Sequence, residues 1–504
     1  MMRSGMRLTI VSVLSAVPAS LVLGQSAGEA RRPWRPNVVF ILADDLGISD
    51  LHCYGRADHR TPRLDEMARR GRRFTQAYCA QPICSPSRAA IMTGKHPARL
   101  HLTTYLPGRP DAPSQKLLQP VIYGALPLEE KTLAEYLREV GYLCACFGKW
   151  HLGGKGYSPL EQGFAVYEPG QANTVPSPSE GGKGEFDLTR RALAFIEKHR
   201  DQPFFVYLCH NTPHIPLAAQ AEKVAACRDA FNPVYAAMMH TLDETVGMLL
   251  DRLHMLGLAE RTLVIFTSDN GGLHVLEGAQ TPATHNRPFR GGKGFVYEGG
   301  LRIPLIVYWP QHVAYGVEQT PVVHQDWLPT LVELCCAGTG PDGLGLSRGS
   351  LQADGISLLP LLLEGHQLPP RTLYWHFPHY TNQGSRPAGA VRAGRWKLIE
   401  NYEDQAVGLY DLESDPGEEN NLASRYPDIA ANLLAQLRAW RKAIAAQENR
   451  PNPDFRADWH QQLYVDMDVS RLPAARHADA LAKQLTPWRR LMNQVIVGRK
   501  PVLK

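Results

Sequence analysis

Cys84 opens the run Cys84-Ser85-Pro86-Ser87-Arg88, with Thr93-Gly94 a few residues on. Pro86 suits the first turn of a helix, and residues 87–92 (S-R-A-A-I-M) read as the body of that helix. The thiol then lies at a helix N-terminus, where free N–H groups and the helix dipole attract anions. Two acidic pairs stand far apart in the chain. Residues 36–42 (P-N-V-V-F-I-L) form a short apolar run of the kind buried on both faces of a sheet, and they end in Ala43-Asp44-Asp45. Residues 263–267 (L-V-I-F-T) form another, ending in Ser268-Asp269-Asn270-Gly271. Acids at the carboxyl ends of parallel strands sit where open α/β sheets bind ligands. Three carboxylates and an amide oxygen make a hard-oxygen site, suited to calcium or magnesium rather than zinc. Singly, each pair also reads as a solvated turn after a strand. The two pairs together with the Cys84 run favour the metal.

Three further segments carry candidate chemistry. Residues 142–147 (Y-L-C-A-C-F) lead into Gly148-Lys149-Trp150-His151. Residues 203–209 (P-F-F-V-Y-L-C) lead into His210-Asn211-Thr212-Pro213-His214-Ile215-Pro216. Gly291-Gly292-Lys293-Gly294 precedes Tyr297-Glu298-Gly299-Gly300-Leu301-Arg302-Ile303-Pro304. In this order, with the Cys84 run and the closing stretch 415–422 (D-P-G-E-E-N-N-L), the chain resembles the sulfatases over residues 36–422. Within that family it is most similar to the arylsulfatase A and N-acetylgalactosamine-6-sulfatase group.

The resemblance implies that a formylglycine-generating enzyme oxidises Cys84, before folding, to formylglycine, an aldehyde that hydrates to a gem-diol. One hydroxyl attacks sulfur, and deprotonation of the second expels sulfate, so one hard step becomes two easier ones. It implies one calcium ion held by Asp44, Asp45, residue 84, Asp269 and Asn270. It assigns Lys149 and Lys293 to the sulfate, His151 to the diol, and His214 rather than His210 to the sulfate side. Physically, charge develops on the sulfuryl oxygens, where Lys149, Lys293, Arg88 and the metal would stabilise it. The leaving oxygen needs a proton, and a protonated histidine would supply it. His214 and His151 are both candidates; we place His214 near the leaving group and give His151 the sulfate-elimination step.

The elements that must position these residues alternate between strand and helix. Thr132 with Glu135 three residues later is a capping box for a helix over 131–140 that Gly141 ends. Residues 235–256 place Met238, Leu242, Val246, Leu249 and Leu253 on one helical face. The expected fold is α/β: a large, mainly parallel sheet flanked by helices, alkaline-phosphatase-like by resemblance. The Gly-, Pro- and Ser-rich stretch 170–184 reads as a surface loop bordering the cleft. Near residue 370 a second region begins, with strand candidates at 390–392, 396–399 and 409–412 and a helix over 428–446. It resembles the small antiparallel subdomain of sulfatases. The expected boundaries are a leader at 1–24, a catalytic domain at 36–368, the subdomain at 369–447 and an extension of unassigned role at 448–504. Trp459 and Trp488 suggest that the extension packs. His376, His379 and Tyr380 either reach the cleft or are strand and turn residues.

The chain has 504 residues and a net charge of +5, with 44% hydrophobic and 20% charged residues. That is ordinary for a soluble globular protein and only mildly favours polyanionic ligands. No basic run with interleaved aromatics points to nucleic acid. Arg3 and Arg7 before the apolar stretch 8–23 have the form of a secretory leader, too short for a membrane span. The expected location is therefore secreted or periplasmic, or lysosome-like in a eukaryote, without stable membrane association once the leader is removed. Of nine cysteines, the eight besides Cys84 either pair in part or serve as small buried residues. The reading is a sulfuric ester hydrolase acting on a sulfated carbohydrate, with aryl sulfates as artificial substrates. The rivals are a phosphonate monoester or phosphodiester hydrolase of the same superfamily, and a non-catalytic glycan-binding protein with unmatured Cys84.

Overall fold

The computed structural model describes residue 1, residues 35–336 and residues 351–496. Apart from Met1, the expected leader lies outside the described residues. In chain order the strands are β1 Asn37–Asp44, β2 Arg72–Tyr78, β3 Leu117–Leu118, β4 Leu143–Gly148, β5 Val166–Glu168, β6 Phe204–Pro213, β7 Thr262–Ser268, β8 Arg302–Tyr308, β9 Gly316–Glu318 and β10 Val322–Val323. All but β3 form one sheet in the order β10-β2-β8-β7-β1-β6-β4-β5, with β9 beside β2. Pairing is parallel except that β8 runs antiparallel to both its neighbours, β2 and β7.

Strand β1 shows why the sheet has helices on both faces. All eight of its residues are buried. Val38, Phe40 and Leu42 enter one core, and Val39, Ile41 and Ala43 enter the other, as a period of two requires. Helices α1 Pro62–Arg70, α4 Glu185–Lys198 and α5 Pro233–Met255 cover the second face. Helices α2 Cys84–Thr93, α3 Leu133–Glu139 and α6 Trp327–Cys336 cover the first. The expected apolar face of α5, Met238 to Leu253, is fully buried. The capping box closes as read: Thr132 N–H donates to Glu135 Oε2 (2.8 Å) and Glu135 N–H to Thr132 Oγ1 (3.3 Å). All nine cysteines are free, and Cys144 and Cys146 share one core with Cys79 and Cys209.

The smaller sheet has four antiparallel strands: β11 Thr372–Phe377, β12 Ala388–Ala393, β13 Trp396–Asn401 and β14 Val407–Asp411. Helix α7 Pro427–Ala443 packs Leu433 and Leu437 against Val391, Leu398 and Leu409. His376, His379 and Tyr380 are structural here. His376 meets Tyr402 Oη (2.7 Å) and the Gln447 carbonyl (2.8 Å), His379 meets Thr103 Oγ1 (2.7 Å), and Tyr380 Oη accepts from Leu117 N–H (3.2 Å). A buried ion cluster joins this sheet to the large one. Lys397 Nζ lies 2.9 Å from both Glu298 Oε1 and Glu418 Oε1. Tyr78 Oη donates to Glu298 Oε2 (2.7 Å), and Arg302 Nε lies 2.9 Å from the same oxygen.

The C-terminal stretch packs against the large sheet. Strand β15 Arg450–Pro451 pairs with β3. Helix α8 Ala478–Ile496 buries Leu485, Trp488 and Met492 in the second core, where Trp488 Nε1 donates to the Leu463 carbonyl (3.1 Å).

Several histidines are buried as neutral rings. Burial holds His59, His96 and His274 down at about 4, helped at His59 by the Arg56 guanidinium and opposed at His96 by the Asp354 carboxylate. The unfolded chain takes up these protons near pH 6.5. Stability from these residues is therefore complete above that pH and lost as pH falls from 6.5 to 4, by about 1.4 kcal/mol per pKa unit. Thermal midpoints measured across pH should be level from 7 to 8 and fall steeply from 6 to 4; a midpoint that rises on acidification would contradict this.

Candidate active site

The site forms at the carboxyl ends of β1, β4, β6 and β7, facing the N-terminus of α2. Strand β1 delivers Asp44 and then Asp45, whose φ of 67° turns the chain through the left-handed region, costly for most side chains but tolerated by Asp. Strand β4 ends at Gly148 with φ of 90°; a Cβ there would fall 1.9 Å from the Cys209 carbonyl oxygen, so only glycine lets Lys149 leave the strand at this angle. Strand β7 delivers Asp269 and Asn270. Lys293 rides on a loop held by its own N–H to the Gly272 carbonyl (3.1 Å) and by Gly294 N–H to the Pro82 carbonyl (2.7 Å).

Cys84 is the first residue of α2 and is 1% exposed. Its Sγ lies 3.5 Å from Asp44 Oδ1 and 3.8 Å from Asp45 Oδ1. The rest of the run builds the turn. Ser87 Oγ donates to the Gln81 carbonyl (2.7 Å), Ser85 Oγ accepts from Leu106 N–H (3.0 Å), and Thr93 Oγ1 donates to the Ala89 carbonyl (2.8 Å). Burial pushes the Cys84 thiol well above its ordinary range, and nearby Asp269 adds to this against Lys149 and Lys293. A bare thiol here is a poor nucleophile.

Three carboxylates face three cations. Lys149 Nζ donates to Asp44 Oδ2 and Lys293 Nζ to Asp45 Oδ2, each at 2.7 Å. Arg88 donates Nε and Nη2 to Asp269 Oδ2 (2.9 and 2.8 Å) and Nη1 to the Lys149 carbonyl (2.7 Å). Its donors thus brace Asp269 and the Lys149 backbone. Burial opposes charge on Asp44 and Asp45, yet Lys149 and Lys293 outweigh it and hold both below the usual carboxylate range. Asp269 is pushed up to about 6 by burial and Asp44, against Arg88. Two guanidinium donors on Oδ2 and the Asp45 N–H on Oδ1 (3.1 Å) favour the carboxylate form, so we take Asp269 as ionised.

His214, not His210, enters the site. Its Nδ1 faces the Ile215 carbonyl (2.5 Å), and its Nε2 lies 3.1 Å from Lys293 Nζ and 3.6 Å from Asp45 Oδ2. That pattern puts the ring proton on Nδ1 and leaves Nε2 to accept from Lys293. Burial and then the Lys293 ammonium hold His214 down at about 4. Both favour the neutral ring, whereas delivery of a proton to the leaving oxygen calls for the protonated one. His151, at φ of 59°, donates Nε2–H to the Leu106 carbonyl (2.7 Å) and leaves Nδ1 buried without a partner.

A cation fits this donor set. Ligand atoms of Asp44, Asp45, Cys84 and His214 lie within 4.8 Å of one another. Asn270 Oδ1 is buried without a partner while Nδ2 donates to Asp45 Oδ1 (2.8 Å). Turning that amide would set two oxygens side by side, an arrangement that only a cation between them stabilises.

Two residues of the 170–184 stretch join the site. Asn173 Nδ2 lies 3.0 Å from His214 Nδ1, and Lys183 Nζ donates to the His214 carbonyl (2.6 Å). The sequence reading placed this stretch beside the cleft but singled out neither residue. A signal existed: Gly181-Gly182-Lys183-Gly184 repeats the tetrapeptide Gly291-Gly292-Lys293-Gly294.

The family model described as Sulfatase matches residues 36–337, and that described as N-sulphoglucosamine sulphohydrolase, C-terminal matches 291–443. Arylsulfatase A of Homo sapiens is 34% identical over 486 residues, covering 84% of this chain and 90% of its own. N-acetylgalactosamine-6-sulfatase of Rattus norvegicus is 33% identical over 426 residues, covering 78% and 77%. The solved structure of Ps i-CgsB in complex with k-i-k-neocarrahexaose superposes with a TM-score of 0.68 at 27% identity, covering 81% of this chain and 92% of its own. The phosphonate monoester hydrolase of Agrobacterium radiobacter shares the fold at a TM-score of 0.59 and 18% identity, covering 81% and 96%.

Proposed function

The chain belongs to the sulfatase family of sulfuric ester hydrolases, and from that premise we propose that it removes sulfate from a sulfated carbohydrate, using formylglycine made at Cys84 and one calcium ion. The observation that carries this is the convergence of Cys84 with Asp44, Asp45, Lys149, Lys293 and His214 in one buried cluster. A relative solved with neocarrahexaose supports a saccharide substrate. Asp44, Asp45, Asp269 and Asn270, with residue 84, would hold calcium, which supplies Lewis-acid stabilisation of charge on a sulfuryl oxygen. Formylglycine supplies, as its hydrate, an oxygen nucleophile and a built-in route to expel sulfate.

The chain's own groups do the rest. Lys149 and Lys293 leave their aspartates when a cation takes over that role, and their ammonium groups then bind the sulfate oxygens. The arriving anion raises the proton affinity of His214. Its Nε2 would take up a proton from solvent as the substrate binds and give it to the leaving oxygen, while Lys293 stays an ammonium. His151 Nδ1, free of other partners, accepts from the hydroxyl at residue 84. Arg88 keeps Asp269 and the Lys149 backbone in place. We assign residues 36–368 to the catalytic domain, 369–447 to the antiparallel-sheet subdomain and 448–504 to a C-terminal extension, of which Val469 and Ser470 brace the Lys293 side of the site. The leader-like N-terminus supports export to a secreted, periplasmic or lysosome-like location, and no described helix is long and apolar enough to cross a membrane.

Hydrolysis of 4-nitrophenyl sulfate against a 4-nitrophenyl phosphodiester tests the reaction. Sulfate should be the better substrate, and a preferred phosphodiester would overturn the reading. Chelation should remove activity and calcium should restore it; full activity in chelator would refute the metal. Mass spectrometry of the residue-84 peptide should show a loss of about 18 Da, the change from a thiol to an aldehyde side chain. Lys293→Ala should lower the rate of chemistry by roughly 10²–10³. Two clustered lysines repel in an empty site, which alone would leave stability little changed by this substitution. Pairing with Asp45 reverses that expectation: the variant should melt lower without calcium and recover when calcium is added. A normal turnover number on every sulfate ester the parent cleaves would count against the assignment.

A further inference from the structure

Two buried guanidinium groups beside the site lack an acidic partner. Arg109 is 5% exposed and Arg489 is 7% exposed. Arg109 reaches the Thr381 carbonyl (3.3 Å), Tyr464 Oη (3.4 Å) and Met492 Sδ (3.0 Å), and its Nε is buried without a partner. Arg489 donates Nη2 to the Asn382 carbonyl (2.6 Å) and Nε to the Leu276 carbonyl. Among the described residues neither arginine forms an ion pair. A buried cation held only by neutral dipoles is costly, and most such groups are matched by an acid.

Their place links them to the chemistry. Arg109 follows the segment whose Leu106 carbonyl holds His151 and whose N–H meets Ser85. The Asn382-Gln383 turn lies against the Lys293 loop: a Cβ on Gly294 would fall 2.7 Å from Thr381 Oγ1 and 3.1 Å from Gln383 Oε1. The one nearby acid, Glu277, is partly exposed, accepts from Gln383 Nε2 (2.5 Å), and its field reaches both Lys293 and Arg489. Asn382 Oδ1 and Gln383 Oε1 are buried acceptors without donors. Unmatched positive charge together with idle acceptors suits a ligand that brings an anion and hydroxyl donors, as an acidic sugar does.

We infer that Arg109 and Arg489 form an anion subsite beside the scissile ester, which takes a second acidic group on the same saccharide, with Asn382 and Gln383 accepting from sugar hydroxyls. The inference rests on the proposed sulfatase reaction and narrows its substrate class to saccharides with two or more acidic groups. The second acid is either a carboxylate or a second sulfate, since both accept a forked pair of N–H donors.

The test uses the full-length enzyme with formylglycine and calcium. It compares kcat/KM on 4-nitrophenyl sulfate, a disaccharide neutral apart from the scissile sulfate, the same disaccharide with a second sulfate, and one carrying a uronate carboxylate. One doubly acidic substrate should be preferred over the neutral disaccharide by roughly ten- to hundredfold, the range for charge-assisted hydrogen bonds. Which one it is identifies the second acid. Arg489→Gln and Arg109→Gln should each shrink that preference, losing more on the doubly acidic substrate than on the neutral one. If either variant fails to fold, the parent's preference among the three disaccharides decides the matter. Enzyme that cleaves nitrophenyl sulfate yet treats all three disaccharides alike overturns the subsite alone. A chain that cleaves no sulfate ester overturns the sulfatase reaction and the subsite with it.

Discussion

Replacing Cys84 with alanine is expected to lower sulfate-ester turnover by on the order of 10⁴–10⁶, the scale for removing a covalent nucleophile. The fold should survive. Cys84 contributes little packing volume, and the residues that shape its turn are Ser85, Ser87 and Thr93, through bonds to backbone. Parallel thermal melts and turnover assays on protein from a host that makes formylglycine separate the two effects. Unmodified cysteine in fully active parent enzyme would sink the mechanism outright. Cys84→Ser adds a second check: it keeps a hydroxyl but cannot form the diol. It should therefore stall with sulfate still attached rather than turn over.

The second large effect is on stability. Lys397→Met should destabilise the protein by about 3–5 kcal/mol, because two buried acids lose the cation they share, leaving Glu418 with none and Glu298 with Arg302. Glu298 feels burial pushing it up, yet Lys397 and Arg302 hold it down at about 2. Glu418 is raised to about 7 by burial, against Lys397 and with Glu298 adding to the rise. Denaturant unfolding at pH 7 measures the loss. Adding Glu418→Gln to Lys397→Met should recover part of it, since one of the stranded charges is then removed. A Lys397→Met midpoint equal to the parent's would show that the cluster contributes nothing net.

How much of this was readable beforehand depended on whether local pattern or distant packing decides the outcome. β1 and β7 are apolar on both faces and end in acids, so both the strands and the acids at their ends could be located. The Thr132–Glu135 box is a local device and closed as read. β2 was not foreseen. Its R-R-F-T-Q-A-Y is half polar because several of its side chains are only partly buried, so it lacks the continuous apolar run used to find the others. β8 was noticed only as a motif, and its Pro304 argues against a strand; flanked by β2 and β7, it makes the sheet mixed rather than all parallel. For β11 the sequence leaves two readings of His376 and His379 open, cleft residues or strand and turn residues, and the structure favours the second. Their partners, Tyr402, Gln447 and Thr103, are 26, 71 and 276 residues away in sequence, a distance that no local pattern spans. At the site, residue types were legible and their pairings were not: nothing in the string says that Lys149 faces Asp44 and Lys293 faces Asp45. Lys183 escaped because it sits in a stretch whose composition says loop.

The order in which the chain is made bears on all of this. The loop that carries Lys293 leans on the last stretch to be synthesised: Gly291 N–H donates to the Ser470 carbonyl (3.0 Å), and His274 meets the Val469 carbonyl (3.0 Å). A growing polypeptide therefore holds Asp44, Cys84 and Lys149 long before the wall that encloses them exists. In the finished molecule the residue-84 side chain is sealed from solvent, beyond the reach of any other protein's catalytic groups. The oxidation proposed for Cys84 would therefore have to precede the docking of Val469 and Ser470 against this loop.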